Sequence, residues 1–232
     1  MNLAVFDVDG TLLDNLEEED VCFARALSEE LALSKLDTDW AQYTHVSDDA
    51  ITSEAYTREY GQPLTAAQRA ATIERFLDHL RMAHGAAPIT AVRGATQMLS
   101  DLRSRGWAVA FATGAWRRAA EYKLGASGIP LAGVPWASSE DGPARETIVA
   151  KAIELATASL GVTPFTRVVA IGDGLWDLHT ARTLRLPFVG IGAGDRGVRL
   201  RTAGASHVIA DYSDFDGVVR AFEEAKAPCA AL

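Results

Sequence analysis

The chain opens on a short apolar run, Leu3-Ala4-Val5-Phe6, that stops at Asp7. An unbroken apolar run of this length, ended by a polar loop, predicts a strand buried on both faces. Over residues 15–33 the spacing changes. Val21, Ala24, Leu27 and Leu31 recur at helical intervals and predict an amphipathic helix. Asp48–Tyr60 and residues 65–83 predict two more, separated by Gly61, Pro63 and a capping Thr65. No strand pattern occurs in residues 15–88.

Beyond Pro88 the two periods alternate. Residues 94–105 read as helix, Trp107–Ala112 as strand, 116–124 as helix and 134–137 as a short strand. Arg145–Leu160 follows as helix, Arg167–Gly172 as strand, 177–184 as helix and Phe188–Ile191 as strand. A helix near Val198, a strand at His207–Ile209 and a helix over 214–226 come last. Strands alternating with helices imply right-handed parallel βαβ units, hence a doubly wound α/β sheet. The helical stretch interrupts that rhythm just after the first strand. The expected organisation is an α/β core of residues 1–14 and 89–232, with residues 15–88 inserted as an α-helical cap domain.

Length and charge sharpen this picture. A chain of 232 residues suffices for a core without disulfides or a structural metal. Residues 15–88 hold 14 acidic and 6 basic side chains, and so carry eight of the nine net negative charges. Such a surface disfavours nucleic acid and anionic membrane. The first reading of this charge is a solvated outer face; the functional alternative is a cap that repels polyanions and favours small or cationic substrates. Cys22 and Cys229 match no zinc or disulfide spacing, no apolar run is long enough to span a bilayer, and no signal peptide is evident. A reducing cytoplasm is the expected location.

Three segments share one feature: an apolar strand ends, and small or acidic residues follow at once. In open parallel sheets, ligands bind at the carboxyl ends of the strands. The first segment is Asp7-Val8-Asp9-Gly10-Thr11. Two carboxylates so close in sequence call for a nearby cation, and oxygen donors suit Mg²⁺. Gly10 permits a sharp turn that brings backbone N–H groups toward an anion. The second is Thr113-Gly114, a hydroxyl and backbone N–H groups suited to a phosphate oxygen. The third is Gly172-Asp173-Gly174-Leu175-Trp176-Asp177. Asp173 suits a metal ligand, and Asp177 a ligand or a support behind it.

In this order the three segments resemble the haloacid dehalogenase-like hydrolase superfamily, over most of the chain. Asp7 to Thr11 match its first motif, Thr113 its second, and Gly172 to Asp177 its fourth with one intervening residue fewer. The helical insertion resembles the family's small cap. The resemblance implies an enzyme, a Mg²⁺-dependent phosphatase acting on a small phosphate monoester. Asp7 would be the nucleophile that becomes an aspartyl phosphate. Asp9 would protonate the leaving oxygen and then activate water. Mg²⁺ would be held by Asp7, Asp9 through its backbone carbonyl, Asp173 and Asp177. Gly10, Thr113 and Gly114 would hold the phosphoryl oxygens. Dehalogenases of the superfamily lack a carboxylate equivalent to Asp9, so its presence favours phosphoryl chemistry.

The family's third motif is usually a lysine, and none stands at the expected place. Arg145 is the best substitute, since a guanidinium forks well onto phosphate. Lys123 and Lys151 are the alternatives for this role, but both sit in helical pattern and are expected on the surface. Asp14 is expected only to cap a helix, and Trp116 and Trp176 to pack in the core or wall the site. His45, His79, His84, His179 and His207 have no metal-ligand spacing. Gly192-Ala193-Gly194-Asp195-Arg196-Gly197 satisfies a dinucleotide-binding pattern but sits on a late strand, so it reads as a simple turn. The rival readings are a phosphomutase of the β-phosphoglucomutase type, a non-catalytic phospholigand binder and, on the glycine pattern, a nucleotide-dependent oxidoreductase.

Overall fold

The computed structural model describes residues 1–14, 16–161 and 164–229. Strand β1 (Asn2–Phe6) is followed by a two-residue strand β2 (Leu13–Asp14) and three helices, α1 (Leu16–Leu31), α2 (Asp48–Tyr60) and α3 (Ala66–Ala86). A second two-residue strand, β3 (Thr90–Ala91), pairs antiparallel with β2. The alternating part then runs α4 (Ala95–Ser104), β4 (Trp107–Ala112), α5 (Arg117–Ser127), β5 (Trp136–Ala137), α6 (Arg145–Leu160), β6 (Arg167–Gly172), α7 (Leu175–Thr183), β7 (Phe188–Ile191), α8 (Gly194–Thr202), β8 (His207–Ile209) and α9 (Phe215–Glu224).

The long strands form one parallel sheet in the order β5-β4-β1-β6-β7-β8. Both faces are covered, and the side chains of β1 show why an unbroken apolar run was needed. Ala4 and Phe6 pack on one face with Met98 and Leu102 of α4 and Phe222 of α9. Leu3 and Val5 pack on the other with Ile148, Ala152 and Ala156 of α6. The chain crosses from β1 to β4 and β5 on one side, then returns to β6 on the other. This reversal of strand order puts a crevice above the carboxyl end of β1.

The helical insertion between β2 and β3 has its own apolar cluster. Phe23 and Leu27 of α1 meet Ile51 and Tyr56 of α2 and Phe76 and Leu80 of α3. Trp116, from the loop after β4, is wholly buried in that cluster, with its ring 5.5 Å from Phe23 and 5.9 Å from Phe76. A capping box at Thr65 and Gln68 starts α3 as its sequence implies. Gly61, in the left-handed region at φ 67°, ends α2.

Several elements differ from expectation. Helix α1 begins at Leu16, and Asn15 lies outside the described residues. Trp116 caps α5 instead of entering it, and the strand expected at 134–137 is only two residues long. The largest correction concerns Lys123. It is 0% exposed, not a surface residue, whereas Lys151 is half-buried beside Glu154. No helix among the described residues is long and apolar enough to cross a membrane.

Candidate active site

The sheet register aligns the three polar segments. Phe6 pairs with Phe111 on one side and Ile171 on the other, so the chain emerges from all three strands at one level. Asp7 is the first residue past β1, and Asp173 the first past β6. Thr113 is the first past β4. Asp177 returns from the first turn of α7, where it accepts the Gly174 N–H at 3.0 Å. Carboxylate oxygens of Asp7, Asp173 and Asp177 lie within 4.8 Å of one another, and all three residues are buried.

Arg145, at the start of α6, closes one side of this group. Its Nη1 donates to Asp7 Oδ1 at 2.8 Å and lies 3.8 Å from Asp177 Oδ1. Its Nε donates to the Val46 carbonyl of the insertion at 2.9 Å. Gly114 makes room for the guanidinium: a Cβ there would stand 2.7 Å from Arg145 Cζ. Gly172 is equally required, because a Cβ would collide with the Asp177 side chain. Arg196, in the glycine-rich segment, reaches Asp173 at 3.4 Å, so that segment serves the rim of the site.

Burial is the main influence on the carboxylates. It raises Asp7 from its ordinary value; Arg145 opposes the rise and Asp9 adds to it. Asp173 is raised well above its ordinary range by burial and then by Asp177 and Asp7. Asp177 is raised to about 7 by burial and Asp7, against the pull of Arg145. Three buried carboxylates that disfavour one another's charge are relieved by a cation. The donors are all oxygen, which fits a hard divalent ion such as Mg²⁺.

The remaining expected residues occupy distinct places. The Asp9 carboxylate does not join the acidic group; its Oδ2 lies 2.7 Å from Lys123 Nζ. Gly10 adopts φ 72°, as a sharp turn requires, but its N–H donates to the Leu13 carbonyl at 2.8 Å. It shapes the loop; its N–H is not aimed at an anion, contrary to expectation. Thr113 is buried and its Oγ1 accepts the Ala115 N–H at 3.0 Å, which leaves the hydroxyl proton to donate elsewhere. Trp176 lines the cavity, whereas Trp116 is core.

A cavity of ≈ 140 Å³ lies over these groups. The core contributes Asp7, Asp9, Thr113, Gly114 and Arg145; the insertion contributes Glu19, Asp20, Phe23, Trp40, Asp48 and Ile51, among others. The insertion is anchored here by one backbone N–H and one hydroxyl. Asp48 N–H donates to the Gly114 carbonyl at 2.8 Å, and Ser47 Oγ to the Pro143 carbonyl at 2.9 Å. Asp48 in turn accepts the Trp116 N–H at 2.9 Å. Sequence reading held Lys123 only as an alternative to Arg145 and placed it on the surface, and it missed Glu19 and Asp48. A signal for Lys123 existed: it shares a helical stripe with Ala119 and Ala120, both buried.

A doubly wound α/β sheet bearing an aspartate-lined crevice at its strand tips, roofed by a helical insertion, defines an enzyme with carboxylate-centred chemistry. Residues 1–184 match the model of the family described as haloacid dehalogenase-like hydrolase, and the chain belongs to that family. It is a hydrolase. No curated protein matches the sequence. Among solved structures, a hydrolase from Pseudomonas syringae aligns over 97% of this chain and 100% of its own, at 23% identity and a TM-score of 0.71. A candidate β-phosphoglucomutase from Bacteroides vulgatus aligns over 97% and 91%, at 16% identity and a TM-score of 0.68. CbbY from Rhodobacter sphaeroides, in complex with phosphate, aligns over 95% and 98%, at 20% identity and a TM-score of 0.62. At these identities the likeness is one of fold.

Proposed function

We propose that this hydrolase is a Mg²⁺-dependent phosphatase that cleaves a small-molecule phosphate monoester through an aspartyl phosphate on Asp7. The observation that carries the reading is the meeting of Asp7, Asp173 and Asp177 within 4.8 Å of one another, with Arg145 2.8 Å from Asp7. The chemistry of the family and the phosphate held by the related CbbY structure accord with it.

Asp7 attacks phosphorus, forming a new P–O bond while the bond to the leaving alkoxide breaks. Asp9 gives its proton to that oxygen. Asp9 then takes a proton from a water molecule, which attacks the aspartyl phosphate and restores the Asp7 carboxylate. Arg145 binds the phosphoryl oxygens, and Thr113 donates its hydroxyl proton to one of them. Mg²⁺, held by Asp7, Asp173, Asp177 and the Asp9 carbonyl, would offset charge on the phosphoryl oxygens. Residues 15–88 act as a cap domain that excludes water from the crevice and chooses the leaving group.

Hydrolysis is favoured over a mutase cycle by the cavity wall. A mutase must hold a bisphosphate, yet the charged residues that the insertion contributes are Glu19, Asp20 and Asp48, all acidic. The same wall favours a small phosphorylated metabolite whose leaving group is neutral or cationic. A phosphate-release screen over phosphorylated metabolites, with and without Mg²⁺, tests the reading. Turnover should require the metal and should vanish in Asp7→Asn. An Asp7→Asn variant that kept most of the rate would refute the proposed nucleophile.

A further inference from the structure

Lys123 is the buried charge for which the mechanism above has no use. Its side chain is 0% exposed, beneath the cavity floor, and its Nζ meets two carboxylates. One is Asp9 Oδ2 at 2.7 Å, on the loop after β1. The other is Glu19 Oε1, on α1 of the insertion. Lys123 itself belongs to α5 of the α/β layer. Three segments distant in sequence thus converge on one ammonium group.

An ammonium taken out of water is tolerated only when its partners are well placed, and removing one partner leaves a buried charge uncompensated. This constraint acts in both directions. The Asp9 side chain is only 16% exposed and that of Glu19 12%, so neither carboxylate has much water to turn to. Asp9 is therefore held at the cavity wall in one orientation. Its backbone is fixed too, since the Thr11, Leu12 and Leu13 N–H groups all donate to the Val8 carbonyl just before it.

We propose that Lys123 is the positioning residue for Asp9, and that Glu19 makes this positioning depend on the insertion being seated over the crevice. The inference rests on Asp9 acting as the proton donor to the leaving oxygen. Lys123 touches no reacting atom; it acts through Asp9. With α1 in place, Glu19 and Asp9 pin the ammonium from opposite elements. Glu19 also hydrogen-bonds the Asp9 side chain directly, so with α1 displaced Asp9 loses that contact and keeps only the ammonium, about which its carboxyl can turn. The acid is thus aligned only when the crevice is covered, which ties proton delivery to exclusion of water.

Leaving-group dependence provides the test. p-Nitrophenyl phosphate releases an anion that needs no proton, whereas glycerol phosphate releases an alkoxide that does. With both substrates at saturating Mg²⁺, Lys123→Met, Glu19→Gln and Asp9→Asn are compared with the parent enzyme for kcat/KM, which covers the steps up to departure of the leaving group and leaves out the hydrolysis of the aspartyl phosphate that both substrates share. General acid catalysis is worth roughly 10²–10⁴-fold. Lys123→Met should lower kcat/KM for glycerol phosphate about 100-fold, and for p-nitrophenyl phosphate about tenfold less severely. Glu19→Gln should show the same selectivity in weaker form. Equal losses on both substrates would mean a merely structural role and would overturn the proposal. If Lys123→Met does not fold, Glu19→Gln carries the comparison, with selective loss supporting the proposal and parallel loss overturning it. Asp9→Asn separates the two layers of inference. If its losses are equal on the two substrates, the acid role of Asp9 itself falls, and the positioning role with it.

Discussion

Asp48→Asn removes one half-buried titratable group of the insertion while keeping its hydrogen bond, and it changes how stability depends on pH. Asp48 begins α2, half-buried at the cavity edge, and accepts the Trp116 N–H at 2.9 Å. Burial pushes its carboxyl from the ordinary 3.8 up to about 7. Lys123 and the Trp116 N–H pull it back, and Asp9 pushes it further. The folded protein therefore holds this proton at pH values where the unfolded chain has released it. The contribution to stability is complete below the unfolded value and is lost as pH rises to the folded one. At about 1.4 kcal/mol per pH unit, the interval bounds the loss at about 4 kcal/mol. Water reaches part of the group, so a change of about 2 kcal/mol is the realistic expectation. Asparagine does not titrate, and its side-chain oxygen can still accept from Trp116. Only above about 7, where folded Asp48 is ionised, does asparagine forgo a favourable charge at the helix N-terminus, worth about 0.5 kcal/mol. Urea unfolding of parent and variant with EDTA present, from about pH 4 to about pH 8, should show Asp48→Asn gaining on the parent up to neutrality and levelling off beyond. A stability difference that is flat with pH, or that moves against the variant as pH rises, would refute the reasoning.

Two further outcomes follow from the crevice. Gly114→Ala places a methyl group 2.7 Å from Arg145 Cζ, so the guanidinium must leave Asp7. kcat/KM should fall about 100-fold, since misplacement by about 1 Å is that costly, while far-ultraviolet circular dichroism stays unchanged. An unaffected kcat/KM would show that Arg145 has no part in the reaction. Adding Mg²⁺ to metal-free protein should raise the melting temperature, with a gain of about 2.7 kcal/mol at a concentration about 100 times Kd. Asp173→Asn should lose most of that gain, and a gain undiminished in the variant would place the ion elsewhere.

The long elements were legible because burial imposes a period. Trp107–Ala112 and Arg167–Gly172 lie in the middle of the sheet with both faces covered, so their apolar runs are unbroken and their limits clear. Strands β2 and β3 are too short to carry any period, and they exist because each pairs with the other. The three strand-tip segments were legible as chemistry because small and acidic residues at the end of an apolar run are locally unusual. Arg145 could be placed only by order along the chain; its contact with Asp7 depends on the fold of α6 against β4. Lys123 misled because a lone lysine in a helix is ordinarily solvated. The identity of its partners, one 114 positions earlier and one 104, belongs to tertiary structure. The division of charge also had a meaning that only coordinates could expose: part of the insertion's acidity faces inward, over the crevice.

The β2–β3 pair has a consequence for how such a chain can change. Asp14 and Thr90 sit opposite each other, so the detour through the three helices departs and rejoins at adjacent points. Whatever is spliced between those two positions leaves the strand order and the aspartate-bearing tips untouched. A replacement for that contiguous stretch need only return a carboxylate to Lys123, a carbonyl to Arg145 and an apolar cover to Trp116 for the strand tips to keep their surroundings.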